Sequence, residues 1–598
     1  MIFLKNRWVI KQTKADLQKM QQVLGITQAT AAVLANRSIA TKKQAIAFLK
    51  AEQTPLYDLL GEKPMKDAQK AITLLEKAIV EGKKIAVYGD YDVDGVTSTA
   101  IWYKTIKACK GNVIYYIPHR QKEGYGLNIE AVEELHKKGI EVLLTCDNGI
   151  AALEEVKRAK QLQMEVIIVD HHEPGFEKKG ETKTDILPAA DAIVDPKQRD
   201  CPYGFKMLCA GGLSYKLALV LLKKMNISDK ALQQECLHLA ALATVCDIVD
   251  LMEENRSIVK MGLKTMAQTS NVGLQALLKE TGLLGKTLTE YHIGFMIGPC
   301  VNAAGRLETA KTAVALFCET VPEKAKEYAA VLIEQNNARK EMTQKAAQKL
   351  IEEAYKEPWG KENVLVAFEE TIHESIAGIV AGRVKEKYYK PTIVITKAEN
   401  MAKGSGRSIE GYNMFEELYA CKDLFSKFGG HPMAAGLSIA YENISELRKR
   451  LNENCKLTKQ QLMPVLKIEK ALSFSEIDMN LAMELKTLAP FGKGNHIPLF
   501  GSKNIGIHRF YIIGKEKNIL RMTLQEKQTG IKISAISFDG LETFRQMIKQ
   551  LYGEENCDTI LENGFFEKPL DFVYSIDINT FGGESSVQLT IKDFRISQ

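Results

Sequence analysis

The stretch Lys84-Ile85-Ala86-Val87-Tyr88-Gly89-Asp90-Tyr91-Asp92-Val93-Asp94-Gly95 joins an apolar run to three aspartates within five residues. The apolar run reads as a strand, and the residues after Gly95 read as a helix. Carboxylates packed this closely repel one another, so a fold tolerates them when cations neutralise them or when water solvates them fully. A strand before and a helix after argue against simple solvation. A surface Asp/Gly turn is the alternative, because both residues also dominate turns.

Working outward, apolar runs at 85–88, 113–117, 142–145, 166–169 and 192–194 alternate with helix-like segments. That rhythm predicts an α/β fold with a parallel sheet covered by helices. Ligands of such sheets gather at the carboxyl ends of the strands. Asp147 follows Leu143-Leu144-Thr145-Cys146, Asp170-His171-His172-Glu173-Pro174 follows Val169, and Asp247 follows Ala243-Thr244-Val245-Cys246. Each alone reads equally as a turn or a helix cap. Together they place oxygen or imidazole ligands after four apolar runs. Two adjacent histidines point in different directions, so one can ligate a metal while the other faces a substrate. Carboxylates with a histidine suit Mn²⁺ or Mg²⁺. Two such ions close together activate water and stabilise a leaving oxygen, so the predicted reaction class is phosphoester hydrolysis.

A chain of 598 residues is too long for one core. With 45% hydrophobic and 26% charged residues it has the composition of an ordinary globular protein. No apolar stretch is long enough to span a bilayer, and the start, Met1 to Arg7, lacks a signal-peptide pattern. The expectation is a cytoplasmic protein with no membrane contact. Eleven cysteines without a CxxC pair read as reduced core residues, which excludes a disulfide frame and a zinc site. The net charge of +6 permits a nucleic-acid partner without demanding one.

Helical spacing from 15 to 49 predicts a small all-helical leader, a packing cap or docking surface. The span 322–357, free of interior Gly and Pro, predicts one long polar helix of the kind that bridges domains. Runs at 364–368 and 392–395 predict a second α/β unit. Short alternating runs from about 466 onward predict a β-barrel or sandwich. The expected layout is a leader at 1–65, a catalytic domain at 66–321, a connecting helix at 322–357, a second α/β domain at 358–455 and a barrel at 456–598.

Asp92-Val93-Asp94, Asp147, Asp170-His171-His172 and Asp247 together resemble the four motifs of the DHH phosphoesterases. Within that family, Glu123-Gly124-Tyr125-Gly126-Leu127-Asn128, Asn302-Ala303-Ala304-Gly305-Arg306-Leu307 and Pro490-Phe491-Gly492-Lys493-Gly494-Asn495 resemble its single-strand-specific 5′-to-3′ DNA exonucleases. The likeness runs from about residue 24 to the C-terminus. It implies that Asp92, Asp94, Asp147, His171 and Asp247 ligate two divalent ions, Mn²⁺ or Mg²⁺, with Asp147 as the bridge and Asp90 joining or supporting them. It also implies that His172 faces the scissile phosphate while Asp170 orients its loop; structural capping is the alternative for Asp90 and Asp170.

Lys403-Gly404-Ser405-Gly406-Arg407-Ser408 and Phe428-Gly429-Gly430-His431-Pro432 resemble the family's associated DHHA1 domain. Glycines admit an anion close to backbone amides, and Ser405 and Arg407 add side-chain donors. The likeness implies that Ser405, Arg407 and His431 hold substrate phosphates. Arg120, Asn302 and Arg306 are further substrate-binding candidates, with surface ion pairs as the alternative for the arginines. The C-terminal section resembles an OB-fold, where Lys515, Lys517, Arg521, Phe538 and Phe581 are candidates for a single-strand groove and barrel core is the alternative for the aromatics.

The resemblance thus implies an exonuclease that digests single-stranded DNA to mononucleotides in repair and recombination, acting as a monomer with a helicase and a single-strand-binding protein as partners. The alternatives are a phosphodiesterase acting on short oligonucleotides or cyclic dinucleotides, a pyrophosphatase, and a non-catalytic single-strand-binding replication protein. Two positions depart from the family pattern: Cys300 stands where arginine is usual, and Ile372 where tryptophan is common.

Overall fold

Strands β1 (Lys84–Tyr88), β2 (Asn112–Tyr116), β3 (Val142–Cys146), β4 (Glu165–Val169) and β5 (Ala192–Val194) form one parallel sheet in the order β2-β1-β3-β4-β5. Side chains alternate across it: Ile85 and Val87 enter one core, Ala86 and Tyr88 the other. Because both faces are covered, the strands read as unbroken apolar runs. On one face lie α1 (Val93–Ala108), α2 (Ala210–Lys224) and α3 (Lys230–Cys246), which bury Trp102, Leu217 and Leu239. Helices Ile129–Lys137 and Leu153–Gln161 cover the other face with Val132, Leu135 and Val156. Each buried side chain of that size contributes about 1.5–3 kcal/mol.

The computed structural model describes residues 6–120, 122–180, 182–398 and 401–597; the sequence start read above, Met1 to Lys5, lies outside them. The chain divides into two compact units. One comprises Ile46–Lys340, which carries the parallel sheet, and the short segment Pro490–His496. In it, α4 (Glu253–Met266) follows the loop after α3. A single helix, α5 (Pro322–Lys356), carries the chain from this unit into the next.

The other unit holds a five-stranded mixed sheet of β6 (Leu365–Phe368), β7 (Thr392–Lys397), β8 (Ala402–Arg407), β9 (Phe425–His431) and β10 (Ala434–Ile439). Its order is β9-β10-β8-β7-β6, with only β6 and β7 parallel, and α6 (Glu374–Tyr388) packs on it. The same unit contains the C-terminal barrel. Its long strand Phe500–Ile513 pairs with both Ile519–Glu526 and Phe566–Phe581, which closes five strands on themselves.

The leader expected over 15–49 is helical, and a strand precedes it. Arg7–Ile10 is a strand pairing in parallel with Val465–Ile468, ahead of helices Leu17–Leu24, Gln28–Ala35 and Lys42–Leu49. Glu484 accepts from the Thr27 and Thr30 hydroxyls at 2.6 Å each, so the Gln28–Ala35 helix docks on the segment leading to the barrel. A four-residue strand whose partner lies more than 450 residues away leaves no local periodicity to detect.

Candidate active site

The strand order reverses between β1 and β3, where loops diverge and open a crevice at the carboxyl ends of the strands. Asp90, Asp92 and Asp94 follow β1, and Asp147 follows β3. Asp92 caps α1, its carboxylate accepting from the Gly95 amide at 3.1 Å. Asp94 is one residue into that helix and buried; its two oxygens accept from the amides of Ala210 (2.8 Å) and Gly211 (2.6 Å) at the start of α2. Carboxylates suit helix N-termini. Asp147 sits in the left-handed backbone region at φ 65°, and Asp247 ends α3.

His171 draws these elements together. Its Nε2 lies 3.1 Å from Asp147, 3.5 Å from Asp94 and 3.7 Å from Asp247. Three groups of ligand atoms each lie mutually within 4.8 Å: Asp90-Asp92-Asp147, Asp94-His171-Asp247 and Asp147-His171-His172. Asp147 and His171 are each shared between two groups. Burial, reinforced by the other carboxylates, pushes the Asp94 carboxyl up to about 7 and that of Asp247 up to about 8. Asp90 and Asp147 are raised well above the carboxylate range for the same reasons. One oxygen each of Asp90 and Asp247 is buried with no hydrogen-bond donor among the described residues. Orphaned oxygens, that of Asp247 beside a neutral imidazole and that of Asp90 in a group with Asp92 and Asp147, fit divalent cations. His171 is neutral because burial and the neighbouring His172 charge hold it down to about 3.

Asp170 plays a different part from the other aspartates. Its Oδ1 accepts from the His171 amide at 2.7 Å, the His172 amide at 3.2 Å and His172 Nδ1 at 2.7 Å, while Oδ2 accepts from the Ile150 amide at 2.9 Å. Burial alone would raise it, but the His172 hydrogen bond and charge pull it down to about 2. Burial opposes protonation of His172 in turn, and the Asp170 partnership overrides this and lifts it to about 9. The Tyr125 hydroxyl lies 3.2 Å from His172 Nε2 and 3.5 Å from its Nδ1.

The arginines sit beside this crevice. Arg120 stacks over the Tyr91 ring at 4.9 Å, and its charge acts on Asp90. Asn302 and Arg306 are four residues apart on the helix Gly298–Leu307 and share a face. Gly305 on that helix approaches so closely that a Cβ would meet the Tyr91 carbonyl at 2.5 Å. Cys300 is buried on the same helix and accepts from Asn336 Nδ2 at 3.3 Å.

Ser405, Arg407 and His431 lie in the other unit. Arg407 and His431 flank Ala434 in register on three neighbouring strands, and Arg407 Nη1 donates to Ser405 Oγ at 3.2 Å. Gly378 on α6 makes room for them: a Cβ there would stand 2.6 Å from Arg407 Nη2 and 2.7 Å from Ser405 Oγ. On the barrel, Lys515, Lys517 and Arg521 are exposed, as are Phe538 and Phe581, so neither aromatic is core.

Sequence reasoning missed four residues. Tyr125 also donates to the Asp147 carbonyl at 3.2 Å; its glycine-flanked loop was visible, but the contact is not encoded locally. Asp195 ends β5 as the other aspartates end their strands, and that position was the signal available for it. It is fully buried, its carboxyl is pushed up to about 8 by burial and Asp170, and its Oδ2 has no donor among the described residues. Gly378 is silent in sequence. Tyr511, exposed and paired in register with Arg521, is hidden by barrel alternation.

Residues 84–244 match the DHH family N-terminal domain, 361–457 the DHHA1 domain and 468–593 the RecJ OB domain. Fold and site together define a protein of the DHH family with its DHHA1 and OB companions. The single-stranded-DNA-specific exonuclease RecJ of Bacillus subtilis (strain 168) is 35% identical over 604 residues, an alignment covering 100% of this chain and 72% of that one. The chain therefore belongs to the RecJ family of single-stranded-DNA-specific exonucleases. The crystal structure of RecJ in complex with Mn²⁺ from Thermus thermophilus shares the fold, with a TM-score of 0.79 at 24% identity over 99% of this chain and 80% of that one. A structure of exonuclease RecJ bound to manganese is 30% identical, with a TM-score of 0.58 over 68% of this chain and 98% of that chain.

Proposed function

We infer that the protein hydrolyses single-stranded DNA from its 5′ end to mononucleotides. The observation that carries this reading is the set of ligand groups sharing Asp147 and His171 at the switch point of the parallel sheet. Asp92, Asp94, Asp147, His171 and Asp247 would hold two divalent ions, Mn²⁺ or Mg²⁺, with Asp90 joining or supporting them. When bound, such ions polarise a phosphoryl oxygen, activate water and neutralise the leaving oxygen.

The remaining steps belong to the chain. Asp170 holds a proton on His172 Nδ1 and leaves Nε2 to donate to the leaving oxygen of the scissile phosphate. Tyr125 keeps that imidazole turned toward Asp147. Arg120, Asn302 and Arg306 grip phosphates beside the carboxylates. Ser405, Arg407 and His431 form a second anion cradle, and the exposed cations and aromatics of the barrel hold the strand by charge and stacking.

The same reading makes the enzyme a cytoplasmic monomer in DNA repair and recombination, supplied with single strands by a helicase and a single-strand-binding protein; no helix of the described residues is long and apolar enough to cross a membrane. It is tested by offering purified protein 5′-phosphorylated single strands, blunt duplex, a dinucleotide and pyrophosphate with Mn²⁺. Fastest turnover of the long single strand is expected. Faster turnover of the dinucleotide would replace this reading with that of a short-oligonucleotide phosphodiesterase.

A further inference from the structure

The sequence Pro490-Phe491-Gly492-Lys493-Gly494-Asn495 has no part in the chemistry above, yet it folds into the unit that carries the parallel sheet. It is a closed turn: Gly492 and Asn495 exchange backbone hydrogen bonds at 2.9 and 3.1 Å, and Asn495 Nδ2 donates to the Pro490 carbonyl at 2.8 Å. The turn sits on the loop that follows the candidate ligand Asp247. The Leu251 amide donates to the Lys493 carbonyl at 2.8 Å, and the Lys493 ammonium lies 3.5 Å from Asp250. Gly492 and Gly494 pack so closely that a Cβ would meet Leu251 Cδ1 at 2.8 Å and Asp250 Cβ at 3.1 Å. The turn is anchored in its own right. Glu290 accepts from the Phe491 amide at 3.0 Å, and the buried Arg256 donates to the Pro490 carbonyl at 3.3 Å.

The loop beneath needs such a restraint. Ile248, next to Asp247, is a β-branched residue in the left-handed region at φ 56°, and it is 66% exposed, so its own side chain anchors nothing. Glu253 ends the loop in the same region at φ 43°. Conformations of this kind persist only where surrounding structure over-determines them. Within the loop the Ile248 amide donates to the Val245 carbonyl at 3.4 Å, the Asp250 carbonyl accepts from Asn255 Nδ2 at 3.1 Å and the Met252 carbonyl accepts from the Arg256 amide at 3.2 Å, whereas the restraint on the Leu251 amide comes from the turn.

We propose that the Pro490–Asn495 turn is a positioning element for the metal site: it holds the strained loop after α3 so that Asp247 faces Asp94 and His171. The proposal rests on the metal-site reading above and adds to it a segment distant in sequence that touches no ligand. Residues that position ligands from behind are worth about 10- to 100-fold in metal affinity. Lys493 and Gly494 are positioning residues in this sense.

The test is calorimetric titration of the full-length chain with Mn²⁺, beside steady-state kinetics on single strands. In Gly494→Val the added side chain presses on Asp250, and the positive φ (74°) disfavours it as well. One of two Mn²⁺ ions should bind about tenfold or more weaker, while KM for the strand at saturating Mn²⁺ is unchanged and kcat recovers as Mn²⁺ is raised. A lower Tm with a wild-type isotherm would make the turn a merely structural support and overturn the proposal. Should Gly494→Val fail to fold, Glu290→Ala and Lys493→Ala each remove one contact and should shift the isotherm in the same direction by less; unchanged isotherms in both overturn it. A wild-type chain that takes up no Mn²⁺ would sink the metal-site reading itself, whereas two ions bound equally well by wild type and variants would sink only the positioning role.

Discussion

The two sheets of this protein concentrate opposite charges by opposite means. At the ends of the parallel sheet, Asp90, Asp94, Asp147 and Asp170 are all at most 3% exposed, fixed by helix caps, backbone amides and a left-handed turn. On the mixed sheet, Arg407 is half-buried and His431 exposed, carried on glycine-rich antiparallel strands. A parallel sheet covered on both faces exposes only its strand ends, so like charges are forced together there, where cations are needed to balance them. The Arg407 guanidinium, half-buried beside α6, is instead met by neutral acceptors, Ser405 Oγ and the Gly406 carbonyl. The first arrangement stores electrostatic stress, whereas the second stores almost none.

The comparison breaks most visibly at Asp147, the carboxylate shared between ligand groups. Asp147→Ala should lower kcat by at least about a thousandfold in any metal buffer, since it removes several kcal/mol of charge stabilisation. Retained activity in a single-strand assay would remove Asp147 from the bridging position.

Stored stress should also appear as a pH dependence of the metal-free chain. Asp94, Asp195 and Asp247 are raised from 3.8 to about 7, 8 and 8, so the native state holds more protons than the unfolded chain and stability falls as pH rises toward those values. His172, raised from 6.5 to about 9, contributes stability below 6.5 that is lost through 9, in the same direction. His171 and His238 are lowered to about 3 and 4, so the stability they contribute is complete above 6.5 and opposes nothing there. With chelator present, Tm should therefore fall between pH ~6.5 and ~8, and saturating Mn²⁺ should flatten the curve. A flat curve in chelator would mean that the carboxylates carry no stress.

On the other sheet, Arg407→Ala should raise KM for single strands about 10- to 100-fold, the worth of a charge-assisted contact, with Tm in chelator unchanged. Arg407→Lys should recover only part of the loss, because a guanidinium fork matches phosphate in a way that a point charge does not. A fall in kcat with unchanged KM would move Arg407 from binding to chemistry.

The same contrast explains what could be read in advance. Strand-end aspartates were legible because burial on both faces writes an apolar run immediately before each one, as at Val87-Tyr88 and Leu144-Thr145-Cys146. The long helix α5 was legible in its lack of Gly and Pro, and the barrel in its alternation. Contacts made by tertiary packing left no such trace. Tyr125 reaches His172 across 47 residues, and the Arg7–Ile10 strand finds its partner beyond residue 460. Asp195 was readable in principle as the fifth strand end, but β5 has only three residues and its signal is short. Cys300 lies buried against α5, a placement that only packing decides.

The smallest expected effect tests how freely the mixed-sheet cradle moves. Gly378 sits inside α6, where glycine costs about 0.5–1 kcal/mol relative to alanine. The atoms an added Cβ would meet are Arg407 Nη2 and Ser405 Oγ, the movable ends of side chains rather than backbone. Gly378→Ala should therefore raise stability by about that amount while turning Arg407 aside and raising KM a few-fold, with kcat and Mn²⁺ affinity untouched. Thermal melts and steady-state kinetics on the same preparation decide it. A gain in Tm without a rise in KM would show that Arg407 reaches its phosphate from another rotamer, and that the glycine is kept for some reason other than the cradle.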